Sequence, residues 1–386
     1  MRFDLTLLFT TRVVRLFAYG FLSVVLVLYL TNVGLDERQI GLLLSLTLAG
    51  DVLVSLYLTT RSDVLGRRRT LIAGALLMAA SGAVFASSSA FPLLLIAATV
   101  GVISPSGNEV GPFLPIEQVA LAEVANSRDH TALFAWYQLS GSFATAMGAL
   151  ACGMFRDLHA IIVTYALLGI VLAALFSRLS PAVEAQSNGT TQRTFFRVHH
   201  SRGIVFRLSA LFALDSFAGG LIVQSVLAWW FYRRFSLSPA ILGSIFFAAN
   251  ILAGVSALAA AWIARRIGLL NTMVFTHLPS NVLLLMIPFM PTLPLAIAVL
   301  LLRFSISQMD VPTRQAYLIA AVDPSERTAA AGITGAARTV GAALAPVIAV
   351  PLIGSALDWL PFVAAGGLKI VYDIALLLSF RRKAAE

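Results

Sequence analysis

The most constraining feature of this sequence is a recurring apolar stretch of about 20 residues, long enough to cross a lipid bilayer as an α-helix. Hydrophobic residues make up 59% of the 386 residues, and charged residues only 12%. A soluble fold of this size would carry about 25% charged residues to cover its surface. The sequence therefore argues against a soluble protein and predicts an integral membrane protein with the lipid bilayer as its main solvent.

We predict twelve transmembrane helices from these stretches. They run over 8–31, 38–60, 70–89, 93–125, 131–153, 159–177, 204–231, 239–262, 269–290, 295–321, 328–349 and 362–380. The stretches are too long and too uniformly apolar for barrel strands, which alternate in polarity. An even number of crossings puts both termini on the same side of the membrane.

The positive charge is distributed unevenly between the two predicted sides. Of the 27 Lys and Arg residues, sixteen fall in segments predicted on one side and four on the other. This is the positive-inside asymmetry of membrane helices, so we expect both termini in the cytoplasm and a bacterial inner membrane as the location. The net charge of +9 then reflects topology and does not indicate nucleic-acid binding.

A polar segment between helices six and seven divides the chain. Residues 180–201 contain Pro, Gly, Ser, Thr, Asn and Gln in place of the apolar runs on either side. We therefore predict an N-terminal six-helix bundle over 1–177, a cytoplasmic linker over 178–203 and a C-terminal six-helix bundle over 204–386.

An internal repeat supports this division. Residues 115–118 align with 312–315 at an offset of 197, and residues 63–66 align with 265–268 at an offset of 202. The two matches have the same order and orientation, which favours a parallel duplication of a six-helix unit over chance similarity between apolar helices.

The loop between helices two and three resembles a known family motif. Residues 63–69 read Asp-Val-Leu-Gly-Arg-Arg-Arg, although the glycine that usually begins the motif is missing. With twelve helices in two parallel halves, the chain resembles the major facilitator superfamily of secondary transporters. This resemblance implies an all-α membrane fold, transport rather than enzymatic activity, and a central cavity lined by helices one, four, seven and ten.

The same resemblance implies a gating role for Asp63, Gly66 and Arg67. Gly66 would permit a tight turn, and Asp63 would latch the cytoplasmic side against the start of helix eleven, near Thr328. The alternative is a charged loop that only sets topology.

Ionisable residues inside the predicted spans are expected to be functional, since each costs about 2.5 to 3.5 kcal/mol at a helix centre. Asp51, Glu109 and Asp215 are the expected proton-coupling residues, because a buried carboxyl without a fixed cation can bind and release a proton. The alternative is that each is satisfied by helix packing.

A further set is expected to contact the transported solute. Its members are Tyr19, Glu117, Gln118, Tyr137, Gln224, Asp310, Arg314 and Arg338. Glu117 and Arg314 occupy equivalent repeat positions and could face one another across the cavity, or Arg314 could pair locally with Asp310. Arg338 could contact an anion or pair with an acidic neighbour.

Two other pairs of charged residues have simpler expectations. Arg12 and Arg15 are expected to anchor helix one by snorkelling, and Lys369 and Asp373 to neutralise one another at i and i+4. The five histidines show no metal-binding spacing, and no phosphate-binding Gly-rich loop is present, so no cofactor or metal is expected.

We therefore expect a monomeric secondary transporter of a small organic solute, working by alternating access and coupled to protons. An uncoupled facilitator and a non-transporting membrane receptor or enzyme remain the alternatives.

Overall fold

The computed structural model describes residues 2–124, 130–155, 157–184 and 200–380, and helices are the regular elements throughout these ranges. The α-helices, in chain order, are α1 Arg2–Ser23, α2 Leu26–Asn32, α3 Glu37–Leu65, α4 Arg67–Ser87, α5 Phe91–Val100, α6 Phe113–Val124, α7 His130–Ala151, α8 Leu158–Phe176, α9 Arg202–Gly220, α10 Gln224–Phe235, α11 Pro239–Ile267, α12 Leu269–Met286, α13 Leu293–Ser307, α14 Asp310–Ala321, α15 Arg327–Ala343, α16 Pro346–Ile353 and α17 Leu360–Phe380.

Residue contacts divide the chain into two compact units. The first comprises Met1–Gly189 and Gln224–Phe247, and the second comprises Thr190–Val223 and Ala248–Glu386. This division assigns α10 and the start of α11 to the first unit, whereas the sequence places the boundary between the halves in the linker at 178–203. The linker boundary stays a prediction.

Ten stretches of the described residues are long and apolar enough to cross a membrane, judged by length and composition. Two shorter apolar helices, Phe91–Val100 and Phe113–Ala122, lie within the predicted fourth span. The chain is therefore all-helical and rich in membrane-spanning helices, and the count of twelve stays a prediction.

The prediction of a continuous fourth helix over 93–125 was wrong. Residues 101–112 between α5 and α6 are irregular. Pro105 and Pro112 cannot donate the backbone hydrogen bonds of a helix, and Gly107 and Gly111 have φ angles of +72° and +79°. We call residues 101–112 the central interruption.

Four other predicted spans are also interrupted, though more briefly. The predicted helix over 8–31 breaks between α1 and α2, the helix over 204–231 between α9 and α10, the helix over 295–321 between α13 and α14, and the helix over 328–349 between α15 and α16. Four of the five interrupted segments are those that the family resemblance assigns to the cavity, and the fifth is predicted helix eleven. In transporters, discontinuous helices supply the backbone groups and side chains of binding sites.

Close helix contacts position the side chains described below. A Cβ at Gly20 would lie 2.0 Å from the Thr145 carbonyl oxygen, so α1 and α7 of the first unit are too close here for a residue larger than glycine. A Cβ at Gly341 would lie 2.3 Å from the Ala213 carbonyl oxygen, which brings α15 against α9 in the second unit. Small residues permit such close packing between membrane helices.

Candidate functional site

A buried charged cluster lies in the first unit, where α1 meets α6 and the central interruption. Arg15 on α1 donates two hydrogen bonds to the Glu117 carboxylate, each at 2.6 Å. Arg12 contacts Glu109 at 2.5 Å, and Arg15 reaches the same carboxylate at 3.1 Å. The side chains of Arg15 and Glu117 are both 0% exposed. Two cations and two carboxylates therefore balance one another, and we call these four residues the N-terminal cluster.

Neutral side chains surround this cluster. The Tyr137 hydroxyl donates to Glu117 at 2.5 Å, and the Thr11 hydroxyl donates to the same carboxylate at 3.4 Å. Arg12 donates to the amide oxygen of Gln138 at 2.8 Å, and its guanidinium carbon lies 4.4 Å from the centre of the Tyr137 ring. Both oxygens of Glu117 are thus held by groups of its own unit.

The expectation that Arg12 and Arg15 snorkel to the interface was wrong. Their side chains are 1% and 0% exposed and point into the unit, because Glu109 and Glu117 offer charged partners there. The spacing of Arg12, Arg15 and Tyr19 places all three on one face of a helix and was the sequence signal for this cluster.

Asp51 on α3 stands apart from the N-terminal cluster. Its Oδ1 accepts the Gly111 backbone N–H at 2.6 Å and the Ser55 hydroxyl at 3.2 Å. Among the residues that the structure describes, no ion pair involves Asp51. The carboxylate therefore meets the central interruption through neutral donors only.

The other predicted solute contacts of the first unit lie in different surroundings. The Tyr19 hydroxyl is buried and donates to the Val110 carbonyl at 3.3 Å. The Gln224 amide on α10 is also buried and donates to the Ser23 hydroxyl at 2.8 Å. Gln118 is exposed on α6. Tyr19 thus borders the central interruption, and Gln224 borders the break between α1 and α2. Gln118 is not part of this group.

The predicted gating loop begins α4. Gly66 has a φ of +94°, which favours glycine, as the predicted tight turn requires. The backbone N–H of Arg67 donates to the Glu184 carboxylate at 2.6 Å, and that of Arg68 donates at 3.3 Å. Glu184 therefore caps α4, a role missed in the sequence. The side chains of Asp63 and Thr328 lie outside the described residues, so the latch stays a prediction.

A second charged cluster lies in the second unit around Asp215 on α9. Lys369 on α17 contacts Asp215 at 2.6 Å, and Arg314 on α14 contacts it at 3.0 Å. Arg314 also contacts Asp310 at 3.0 Å. The local pairing of Arg314 with Asp310 is therefore present, and the described contacts of Glu117 and Arg314 lie within their own units.

His277 on α12 forms a third set of contacts beside this cluster. Its Nδ1 lies 2.9 Å from Asp373 Oδ1, and the Asn281 amide donates to Asp373 Oδ2 at 2.9 Å. The expectation that Lys369 neutralises Asp373 was wrong, because Lys369 contacts Asp215 instead. The contact of His277 could not be predicted, because its partner Asp373 lies 96 residues away along the chain.

Arg338 on α15 is only partly buried, and its Nε donates to the Ser216 hydroxyl at 3.2 Å. It makes no ion pair with any residue in the described ranges. The role of Arg338 as an anion contact therefore stays a prediction.

No group of three or more His, Cys, Asp or Glu residues within the described ranges could hold a metal ion. The two clusters are ion-pair networks, and the absence of a metal or cofactor stays a prediction.

Comparisons with known proteins agree with the resemblance. The family model described as Major Facilitator Superfamily matches residues 8–309. The uncharacterized membrane protein YJR124C of Saccharomyces cerevisiae is 30% identical over an alignment 420 residues long, which covers 98% of this chain and 94% of the relative.

Three solved transporter structures have similar folds. The nucleoside transporter NupG is 16% identical with a TM-score of 0.78, covering 99% of this chain and 100% of that chain. A D-xylose-proton symporter is 14% identical with a TM-score of 0.73, covering 97% of both chains. The human organic anion transporter MFSD10 is 17% identical with a TM-score of 0.69, covering 97% of this chain and 99% of that chain. At these identities the likeness concerns the fold.

The match to the family model extends over most of the chain, and the yeast relative is similar over nearly all of it. This multi-pass integral membrane protein therefore belongs to the Major Facilitator Superfamily, a family of transporters.

Proposed function

We propose that the protein is a secondary transporter that moves a small organic anion across a membrane by alternating access, driven by a proton gradient. The observation that carries this proposal is the burial of charged side chains on and beside interrupted membrane helices. Hydrocarbon tolerates such groups poorly, so they are retained where they surround a passage for a polar solute.

The cargo proposal rests on Arg338. Its guanidinium forms no described ion pair and uses only its Nε on Ser216, whereas the cations Arg12, Arg15, Arg314 and Lys369 contact carboxylates. A carboxylate or phosphate of the solute would supply the missing negative charge through paired hydrogen bonds. A similar fold serves an organic anion transporter, which is consistent with this class of cargo.

The proton proposal rests on Asp51. Of the three expected proton-coupling residues, Glu109 is bound by Arg12 and Arg15, and Asp215 by Lys369 and Arg314. A nearby cation favours the charged carboxylate and opposes proton binding. Asp51 has only neutral donors among the described residues, so it is the strongest of the three as the proton carrier.

The cargo is tested by ligand-induced stabilisation of the purified protein. Benzoate and succinate serve as anions, and uridine and D-xylose as neutral solutes; a bound solute raises the melting temperature by mass action. We expect an anion to stabilise the protein and Arg338→Gln to weaken its binding by about tenfold or more, since a charged hydrogen bond is lost.

The matched control is Arg266→Gln, because Arg266 lies at an exposed helix end over the Trp262 ring. It should leave anion binding unchanged. If a neutral solute stabilises the protein and Arg338→Gln binds it normally, the proposed anionic cargo is wrong.

Proton coupling is tested by flux in proteoliposomes with the solute that stabilises the protein. Asp51→Asn should abolish accumulation driven by an imposed proton gradient but retain exchange of solute across the membrane, because only the proton step is lost. Asp36→Asn, at the exposed start of the same helix, is the control, since asparagine also caps helices. Gradient-driven accumulation that survives Asp51→Asn would reject Asp51 as the carrier, and wild-type flux that ignores the gradient would favour an uncoupled facilitator.

A further inference from the structure

We infer that His277 and Asp373 together bind one proton inside the second unit, and that this proton weakens the contact between Asp215 and Lys369. The inference goes beyond the proposed function, because it concerns helices other than that of Asp51 and requires no solute.

Asp373 is a buried carboxyl group, and its side chain is 0% exposed. Its two oxygens face the His277 ring and the Asn281 amide, both at 2.9 Å. No Lys or Arg of the described residues forms an ion pair with Asp373. Burying a carboxylate beside a neutral imidazole and an amide is unfavourable. The pair is neutral when it holds one proton, which we place on the His277 ring because a second carboxylate, Asp215, lies 3.9 Å from its Nε2.

The N-terminal cluster shows the contrast. Arg12 and Arg15 remain charged at every physiological pH, so Glu109 and Glu117 are balanced without a titrating group. At Asp373 the balancing group is an imidazole, the one side chain that ordinarily changes charge between about pH 5 and pH 8.

Geometry links this proton to the neighbouring ion pair. His277 Nε2 lies 3.9 Å from Asp215 Oδ1, and the same oxygen accepts the Lys369 ammonium at 2.6 Å. A positively charged His277 therefore competes with the Lys369 ammonium for the negative charge of Asp215. Protonation weakens the contact between α17 and α9, and loss of the proton strengthens it.

The other charged groups around α12 do not replace this proton. The helices packed against α12 are α13, α14 and α17. Their charged or titratable groups are Arg303 on α13; Asp310, Arg314 and Tyr317 on α14; and Lys369, Tyr372 and Asp373 on α17. Arg314 pairs with Asp310 and Asp215, the Tyr372 ring lies edge-on to His277, and Arg303 forms no ion pair within the described ranges.

The protein itself offers a selective measurement. Lys369 and Lys383 are its two lysines, and it has five histidines. In a Lys383→Arg background, nitrogen-labelled lysine therefore gives one side-chain NMR signal, from Lys369. Labelled histidine gives a signal for His277 that is identified by its loss in His277→Gln. Both are followed in detergent, without solute, from about pH 5 to about pH 8.

In the Lys383→Arg parent protein, we expect the His277 and Lys369 signals to change together with pH. In Asp373→Asn the need for the proton is removed, so His277 should stay neutral and the shared change at Lys369 should be lost. If His277→Gln alone fails to fold, the double variant His277→Gln/Asp373→Asn serves instead, because it leaves both positions uncharged. Its Lys369 signal should also be independent of pH. His159→Gln, at an exposed helix start, should behave as the parent.

A His277 signal that stays neutral at all pH values in the parent would overturn the inference. So would a Lys369 change that persists in Asp373→Asn. Because no solute is present, a failure of the proposed transport function would leave these results standing, and a failure here would leave the Asp51 and Arg338 proposals standing.

Discussion

Arg15 shows how a single buried side chain sets the chemistry of the first unit. It donates to Glu117 through Nη1 and Nη2 and to Glu109 through Nε and Nη2, and its guanidinium carbon lies 4.5 Å from the centre of the Phe113 ring. A planar guanidinium can satisfy all of these contacts at once, whereas an ammonium cannot. The double contact therefore fixes α1 against α6.

At this scale we predict that Glu117→Gln is strongly destabilising. The substitution leaves the fully buried Arg15 with Glu109 as its remaining charged partner. Removing one partner of a buried ion pair should lower the free energy of unfolding by about 3 kcal/mol. The measurement is the thermal stability of the purified protein in detergent.

The matched control for Glu117→Gln is Tyr137→Phe, which removes one hydrogen bond to the same carboxylate without changing charge. Its effect should be about 1 kcal/mol. Equal losses from the two substitutions would mean that the charge of Glu117 does not stabilise the cluster.

The central interruption is unusual because irregular backbone lies within a predicted membrane span. Such backbone is tolerated when its polar groups are satisfied by protein. The Tyr165 hydroxyl donates to the Val102 carbonyl at 2.5 Å, Tyr19 donates to Val110, and the Ser104 hydroxyl donates to the Asn108 carbonyl at 2.7 Å. Side chains thus replace part of the missing helical hydrogen bonds.

We predict that Gly111→Ala destabilises the protein by about 1 to 2 kcal/mol. Gly111 has a φ of +79°, which L-residues with a Cβ adopt at about this cost. The substitution should also weaken the Gly111–Asp51 hydrogen bond. Thermal unfolding in detergent checks the prediction.

Gly332→Ala on α15 is the control, since a Cβ there meets nothing within 4 Å. An alanine in a helix should be neutral or slightly stabilising. If both variants had the same stability, the backbone of the central interruption would not depend on glycine.

The sequence predicted the helical class, the membrane and the family, because long apolar runs and the loop at 63–69 are local signals. It also contained the signal for the central interruption, since two prolines and three glycines fall within 101–112, and a continuous helix was wrongly predicted there. The contact of His277 with Asp373 could not be predicted, because it depends on how α12 packs against α17. Glu184 was missed for the same reason, since it reaches α4 from 117 residues away.

The two units use opposite charges in comparable ion pairs. In the first unit a cation on α1, Arg15, binds a carboxylate on α6, Glu117. In the second unit a carboxylate on α9, Asp215, binds a cation on α14, Arg314. Glu117 and Arg314 are repeat-equivalent at the offset of 197 found in the sequence. The predicted duplication would thus have retained the pairing of these helices while reversing its polarity.

The predicted topology can be tested by cysteine labelling, because Cys152 is the one cysteine of the sequence and is buried. In a Cys152→Ala background, single cysteines are labelled in intact cells with a membrane-impermeant maleimide. Twelve crossings with cytoplasmic termini place Ser89→Cys and Ser355→Cys outside, where the maleimide should react. Asn271→Cys should react only after the cells are permeabilised.

Labelling at Ser89, before the central interruption, and at Asn271 and Ser355, after it, shows whether the fourth segment crosses the membrane. If it re-entered instead, every later loop would change sides relative to Ser89, so Asn271→Cys would react in intact cells and Ser355→Cys would not. Because α5 and α6 are each too short to cross about 30 Å of hydrocarbon alone, the labelling pattern tests whether they cross together. Reaction at Ser89 and Ser355 but not at Asn271 would establish that the interruption lies inside a complete span, where Glu109 and Asp51 can meet a solute from either side.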